Sequence, residues 1–284
     1  MEKGQPISQE KECVRMWSRG ELKGKAKEVL RGSYWKALLV SVVIAFAVGG
    51  GGSGNGTRVN NKDYRSIRGW YHNGGLKSGI PKFKGSVDTT LLPRIGIIAG
   101  IIFLTVIIFV IGIRIFVGYH LEVGGRRYFI QSSQGDVNLS YLGHGFEKGR
   151  YLDIIKAMIW KDIFNFLWFL VLIIPGFVKF YAYSMVPYIL ADNPNIGYRR
   201  ALELSKKMTD GEKWDMWVLD LSFIGWYLLG ALVLGLGGFF VLPYDNATHS
   251  ELYLALRYKA IKNGICDHRE LKLVRELKQG TEIY

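Results

Sequence analysis

The sequence predicts an all-α polytopic membrane protein: a transmembrane helix bundle of about six spans, arranged as three hairpins, with amphipathic cytosolic surface helices. Three observations carry this. The chain of 284 residues is 49% hydrophobic, and its apolar residues come in long blocks rather than at amphipathic spacing. Its formal net charge of +13 gathers in the segments flanking those blocks, where Lys and Arg meet the cytosol and anionic headgroups. Two segments also repeat one plan: an apolar run, a glycine turn (Pro175-Gly176, then Gly235 to Gly238) and a returning run that carries Pro-Tyr (Pro187-Tyr188, then Pro243-Tyr244).

Residues 1–36 form a basic cytosolic segment. Ser18 and Glu21 make a capping box for a helix to Ser33, on which Leu22, Ala26, Val29 and Leu30 share one face. The opposite face offers Lys23, Lys27 and Arg31 to lipid headgroups. Tyr34, Trp35 and Lys36 are an interfacial anchor before the first span, Ala37 to Gly52, which is short against the roughly 20 residues a bilayer needs. The Ala45-Phe46-Ala47 run imitates a signal-peptidase site, but the 36 residues before the apolar run are too long an n-region. Residues 53–94 read as an outer loop rich in Gly, Asn and Lys. Its phosphate-loop likeness at Gly51 to Arg58 fails because Thr57 stands where lysine is needed.

Ile95 to Val117 is the strongest span, with Arg114 near enough to its end to snorkel. Residues 118–150, with Arg126 and Arg127, read as a cytosolic connector. Tyr151 to Ile174 is a third span carrying Lys156, Lys161 and Asp162, and Phe177 to Ala191 returns as a fourth. In the connector 192–213, Asn193 is the expected N-cap and Pro194 the first helical residue. Tyr198, Ala201, Leu202, Ser205 and Met208 then share a face, while Arg199, Arg200, Lys206 and Lys207 point toward headgroups. Trp214 to Leu236 and Gly237 to Arg257 complete the transmembrane region, 37–257. Residues 258–284 form a charged C-terminal helix with an apolar stripe of Leu271, Val274 and Leu277.

With both termini cytoplasmic, 25 of the 37 Lys and Arg lie inside and 9 outside, the outer ones being eight in the first loop and Lys179. A single tilted helix from Trp214 to Tyr244 would instead give five spans, but the basic tail and the second glycine turn favour six.

Charges inside apolar spans cost about 2.5 to 3.5 kcal/mol each on insertion scales, so those retained face the bundle interior. Lys161, Asp162, Asp220 and Asp245 are such residues, with His249 and Glu251 in the last span. They make either a polar pathway between hairpins or a set of mutual pairs, Lys161 with Asp220 for instance. His72, His120, His144, His249 and His268 are dispersed, so no metal or cofactor is expected. Cys13 and Cys266 read as reduced thiols, and the sequence holds no Gly-x-Ser-x-Gly elbow. Membrane topology accounts for the basicity without nucleic acid.

The segments RGELKGKAKEVLRGSYWKALL, PYILADNPNIGYRRALELSKKM, LSFIGW and LGLGGFFVLPYDNATHSELYLAL resemble the bacterial integral-membrane family known as domain of unknown function 975. Leu234 departs from the Thr usual before the Gly-x-Gly turn. The resemblance implies a multi-pass cell-membrane protein without implying an activity. The leading expectation is a non-enzymatic membrane component that uses its basic helices to bind anionic lipid headgroups, a membrane-protein partner or a second copy of itself. The alternative is a small transporter or permease-like protein built around the intramembrane charges.

Overall fold

The computed structural model describes residues 17–49, 91–147, 149–232 and 237–271, and every regular element among them is helical. The chain divides into two units, residues 49–113 and residues 1–48 with 114–284. The smaller holds α3 (Leu91–Ile113). From Ile97 to Ile113 this helix is Ile, Phe, Leu and Val on all sides, and nearly all of it is exposed. A helix apolar all round is stable in lipid, not in water.

The larger unit comprises α1 (Arg19–Arg31), α2 (Tyr34–Val48), a π-helical turn (Arg114–Gly118), α4 (Tyr119–Ser133), a 3-10 segment (Leu139–Phe146) and α5 (Tyr151–Val171). It continues with α6 (Ile173–Tyr183), α7 (Val186–Asp192), α8 (Tyr198–Met208), α9 (Lys213–Leu232) and α10 (Gly237–Lys262).

The cap at α1 forms as expected, the Ser18 hydroxyl accepting from the Glu21 amide at 3.2 Å. Its face of Leu22, Ala26 and Leu30 is buried against α10 and α4, so protein covers the stripe that was expected to lie on the inner leaflet. At Gly32-Ser33 the chain bends by 111° into α2.

Within 118–150, expected as a connector, α4 is instead a central helix that buries Val123, Tyr128, Phe129 and Ile130. Gly124 and Gly125 permit this. A Cβ on Gly124 would lie 2.3 Å from the Leu142 carbonyl oxygen, and one on Gly125 would lie 2.4 Å from Ile44. Glu122, Arg126 and Arg127 lower the hydropathy of the segment, but each turns toward the interior.

α5 and α6 pack together across Leu172, where Gly176 sits against Phe169. The two Pro-Tyr segments then differ. Pro187 lies in the first turn of the separate helix α7, while Pro243 lies inside the continuous α10. The two prolines of the expected repeat therefore occupy different places in their helices. A proline starts a helix at no hydrogen-bond cost but disturbs one it interrupts. In the turn before Pro243, the Tyr34 hydroxyl donates to the Phe240 carbonyl at 3.0 Å.

The helix expected from Pro194 starts at Tyr198. Gly197, at φ +80°, separates it from the Asn193 turn, in which Asn193 Oδ1 accepts from the Asn195 amide. Of the glycine turn between α9 and α10, residues 235 and 236 lie outside the described residues; Gly237 and Gly238 open α10. The outer loop 53–90, residues 1–16 and the stripe residues Val274 and Leu277 also lie outside them. Leu271 is buried in the core.

Three helices among the described residues are long and apolar enough to cross a membrane: one within Ile97–Ser133, then Ile173–Asp192 and Lys213–Leu232. The bent α1–α2 pair raises the number to four. The helices expected as spans three and six fall outside this set. α5 carries Asp153, Lys156, Lys161 and Asp162, and α10 carries Asp245, Glu251 and Arg257.

Candidate functional site: a polar cavity in the helix bundle

The four charges singled out in the sequence converge. Lys161 and Asp162 on α5, Asp220 on α9 and Asp245 on α10 line one cavity of about 320 Å³. The cavity also receives Arg114 from the π turn, Glu122 and Arg126 from α4, Tyr181 from α6, Tyr188 from α7 and His249 from α10.

The pairing differs from the one expected. Lys161 Nζ lies 3.4 Å from Asp162 Oδ1, its own neighbour on α5, and not against Asp220. Asp220 Oδ1 meets His249 Nε2 at 2.8 Å, and Asp245 Oδ1 lies 2.9 Å from His249 Nδ1. Both ring nitrogens therefore face carboxylate oxygens, an arrangement satisfied on both sides when the imidazole carries two N–H groups. One turn of α10 sets it up, because Asp245 and His249 are four residues apart.

A tyrosine completes each carboxylate. Tyr119, Tyr181 and Tyr227 donate to Asp162, Asp220 and Asp245, each at 2.7 Å. Arg126 donates to Asn246 Oδ1 at 2.6 Å, and its guanidinium lies 4.9 Å from the Tyr188 ring centre. Asn246 in turn donates to Ser41 on α2 at 3.0 Å.

Arg114, expected to snorkel, turns inward. It donates to the Val48 carbonyl and approaches Asp162 at 4.0 Å. The π turn that carries it is a helix defect of the kind that re-aims side chains at functional sites. Arg114, Glu122 and Arg126 are the charged lining residues that sequence reasoning missed. The signal for the two arginines was that Arg114 interrupts an apolar run and that Arg126 stands two residues before an aromatic pair, Tyr128 and Phe129.

The expected headgroup contacts separate into two kinds. Lys23 donates to Ser222 at 2.7 Å and lies 4.3 Å from the Phe223 ring centre, and Lys27 lies 5.8 Å from that of Tyr244. Arg200 is bound to Glu270 at 2.9 Å and to the Ile265 carbonyl, and its guanidinium holds the Glu270 carboxyl below its ordinary range. Arg31, Arg199, Lys206 and Lys207 are exposed, with Lys207 paired to Glu203. Lys179, expected on the outer side, holds its Nζ 4.7 Å from the ring centre of Trp168 on α5.

Helices able to cross a bilayer, apolar side chains on the outside and charges around an interior cavity together mark a membrane-associated helical protein. Residues 169–260, from the end of α5 through most of α10, match the model of the family described as Protein of unknown function (DUF975), the family resembled in the sequence. No curated protein and no solved structure matches the chain.

Proposed function

We propose that this is a multi-pass membrane protein of permease-like type, whose interior cavity binds a small polar solute carrying groups of both signs. The observation supporting this most directly is the convergence of Arg114, Arg126, Lys161, Asp162, Asp220, Asp245 and His249 on one cavity. A purely structural set of ion pairs would bury its charges against one another and leave no room. Here a space of about 320 Å³ stays open beside them, at the lower end of the roughly 300–1,000 Å³ of small-molecule sites. Charges of both signs suit a zwitterion better than a simple ion. Six spans with both termini cytoplasmic remain the topology we propose, with α5 and α10 tolerating their charges because these face the cavity.

The test is counterflow into proteoliposomes that hold the full-length protein, using radiolabelled amino acids, polyamines and dicarboxylates. Accumulation of the amino acids, abolished in Asp220→Asn, is the expected result. Absence of counterflow for every class, with Asp220→Asn cells indistinguishable from wild type, would remove the cavity as a functional site.

A second reading has its own observation. Arg199, Lys206 and Lys207 are exposed on α8, whose opposite face is buried. That supports a component that binds anionic lipid or a partner protein through a basic face, with or without transport.

A further inference from the structure

Eight Arg, Lys, His, Asp and Glu residues line the polar cavity, and six of them are matched. Lys161 and Arg114 share Asp162, at 3.4 and 4.0 Å, and His249 stands between Asp220 and Asp245, at 2.8 and 2.9 Å. The two left over are Glu122 and Arg126, opposite in sign and both on α4. Among the described residues neither makes an ion pair, and Glu122 makes no side-chain hydrogen bond either. Glu122 is only 5% exposed. A buried charge without a counter-charge is costly, and the space in which this one's counter-charge would sit is the cavity.

Arg126 is held in place without being neutralised. Its Nη1 donates to the uncharged Asn246 at 2.6 Å, its guanidinium lies 4.9 Å from the Tyr188 ring centre, and its Nε–H has no acceptor. Four residues apart on one helix, Glu122 and Arg126 are neighbours on the same face, with Cβ atoms about 5–6 Å apart. Gly124 and Gly125 lie between them and seat α4 directly against Leu142 and Ile44. The two charges therefore stand on a firmly packed helix.

We propose that Glu122 and Arg126 are the recognition pair of the cavity, taking the ammonium and the carboxylate of an α-amino acid. This rests on the reading that the cavity binds a small polar solute. In an α-amino acid the two charged groups sit on one carbon, each joined by a bond of about 1.5 Å, so opposite charges arrive close together. One turn of α4 presents the complementary charges at a comparably short spacing. The guanidinium fork suits a carboxylate, and each protein charge gains the partner it lacks. A polyamine would bring Arg126 a like charge, and a dicarboxylate would bring one to Glu122.

The experiment screens the full-length protein in mild detergent against each common amino acid, radiolabelled, and compares the tightest binder with its 2-hydroxy acid and its amide. Wild type binds the amino acid about 10- to 100-fold more tightly than either analogue, the effect of one charged hydrogen bond. Glu122→Gln loses the margin over the hydroxy acid and keeps the margin over the amide; Arg126→Gln does the converse. The ratios are the readout, because a structural role for either residue would lower all three affinities together, as Asp220→Asn is expected to do.

Folding is read separately. Glu122→Gln removes a buried charge that the protein leaves unpaired, so its solute-free thermal midpoint is at or above wild type; a lower one would show that the fold itself uses the charge and overturns the pair. Glu122→Gln alone decides the outcome if Arg126→Gln, which also loses the Asn246 contact, does not fold. Binding of no amino acid, or ratios unchanged in Glu122→Gln, overturns the proposal. Counterflow of polyamines or dicarboxylates without amino acid binding removes this pair and keeps the permease-like reading, whereas amino acid binding without counterflow does the reverse.

Discussion

Arg257 Nη1 lies 3.0 Å from Asp192 Oδ2, and the two side chains are 3% and 0% exposed. The pair ties the end of α7 to α10. Tyr253 donates to the same Asp192 oxygen at 2.8 Å, and Arg257 Nη2 donates to the Leu271 carbonyl at 2.7 Å, which draws the C-terminal segment onto the core. Removing one charge from such a pair strands the other in a low-dielectric interior, at a cost of about 3–5 kcal/mol. Asp192→Asn is therefore expected to lower the thermal midpoint in detergent sharply and to reduce membrane abundance. Replacing both, as D192L/R257M, recovers much of the loss because no lone charge remains. A midpoint for Asp192→Asn close to wild type would show that the pair contributes little.

The Asp220–His249–Asp245 cluster calls for a different measurement, because its members act together. Asp220→Asn and His249→Gln each break the same 2.8 Å contact, so their effects overlap instead of adding. A double-mutant cycle read by thermal unfolding should give a coupling of about 1–3 kcal/mol. Strict additivity would mean that the two groups do not interact in the folded protein.

What the sequence disclosed about this site follows from one physical rule. Lys161, Asp162, Asp220 and Asp245 stood out because a charge within an apolar block is costly unless it faces inward, and inward is where all four lie. The same rule hid Arg126. Glu122, Arg126 and Arg127 made residues 118–150 look like a solvated connector, whereas α4 is buried through close contacts at Gly124 and Gly125 that hydropathy does not register. The helical class was legible throughout, but the repeat was legible only as a pattern. Pro187 and Pro243 occupy equivalent places in sequence, and one begins a helix while the other is carried inside one. The amphipathic stripes of α1 and α8 were read correctly as faces, yet periodicity does not say whether lipid or protein covers them, and here protein does.

Outside the candidate spans, His144 predicts a pH dependence. Burial pushes its imidazole below the ordinary 6.5, and Arg127 and Arg150 add repulsion that its 2.8 Å contact with Glu147 does not overcome. That contact is accordingly a neutral N–H donated to a carboxylate. The unfolded chain takes up the proton more readily than the folded one. The contribution to stability is thus complete above pH 6.5 and is lost as pH falls through 6.5 toward the lower folded value. The thermal midpoint should decline from pH 6.5 to about 5, and His144→Gln should flatten that decline. An unchanged slope in the variant would assign the acid sensitivity to other groups.

Gly124 marks a close backbone approach that a single methyl group can probe. A Cβ there would lie 2.3 Å from the Leu142 carbonyl oxygen and 2.9 Å from its Cα, so the obstruction is backbone, which cannot rotate away as a side-chain tip would. Gly145 makes the reverse contact, its own Cβ position falling 2.8 Å from the His120 carbonyl oxygen. Gly124→Ala must push the 3-10 segment off α4, disturbing the contact of the His120 and Phe146 rings, whose centres lie 5.1 Å apart. The expected destabilisation is about 1–3 kcal/mol, the usual cost of overpacking. Gly100→Ala is the matched control, since a Cβ there meets nothing within 4 Å. Both variants are compared with wild type by detergent-solubilised thermal unfolding; equal midpoints for the two would show that the 3-10 segment is not held against α4 at this distance.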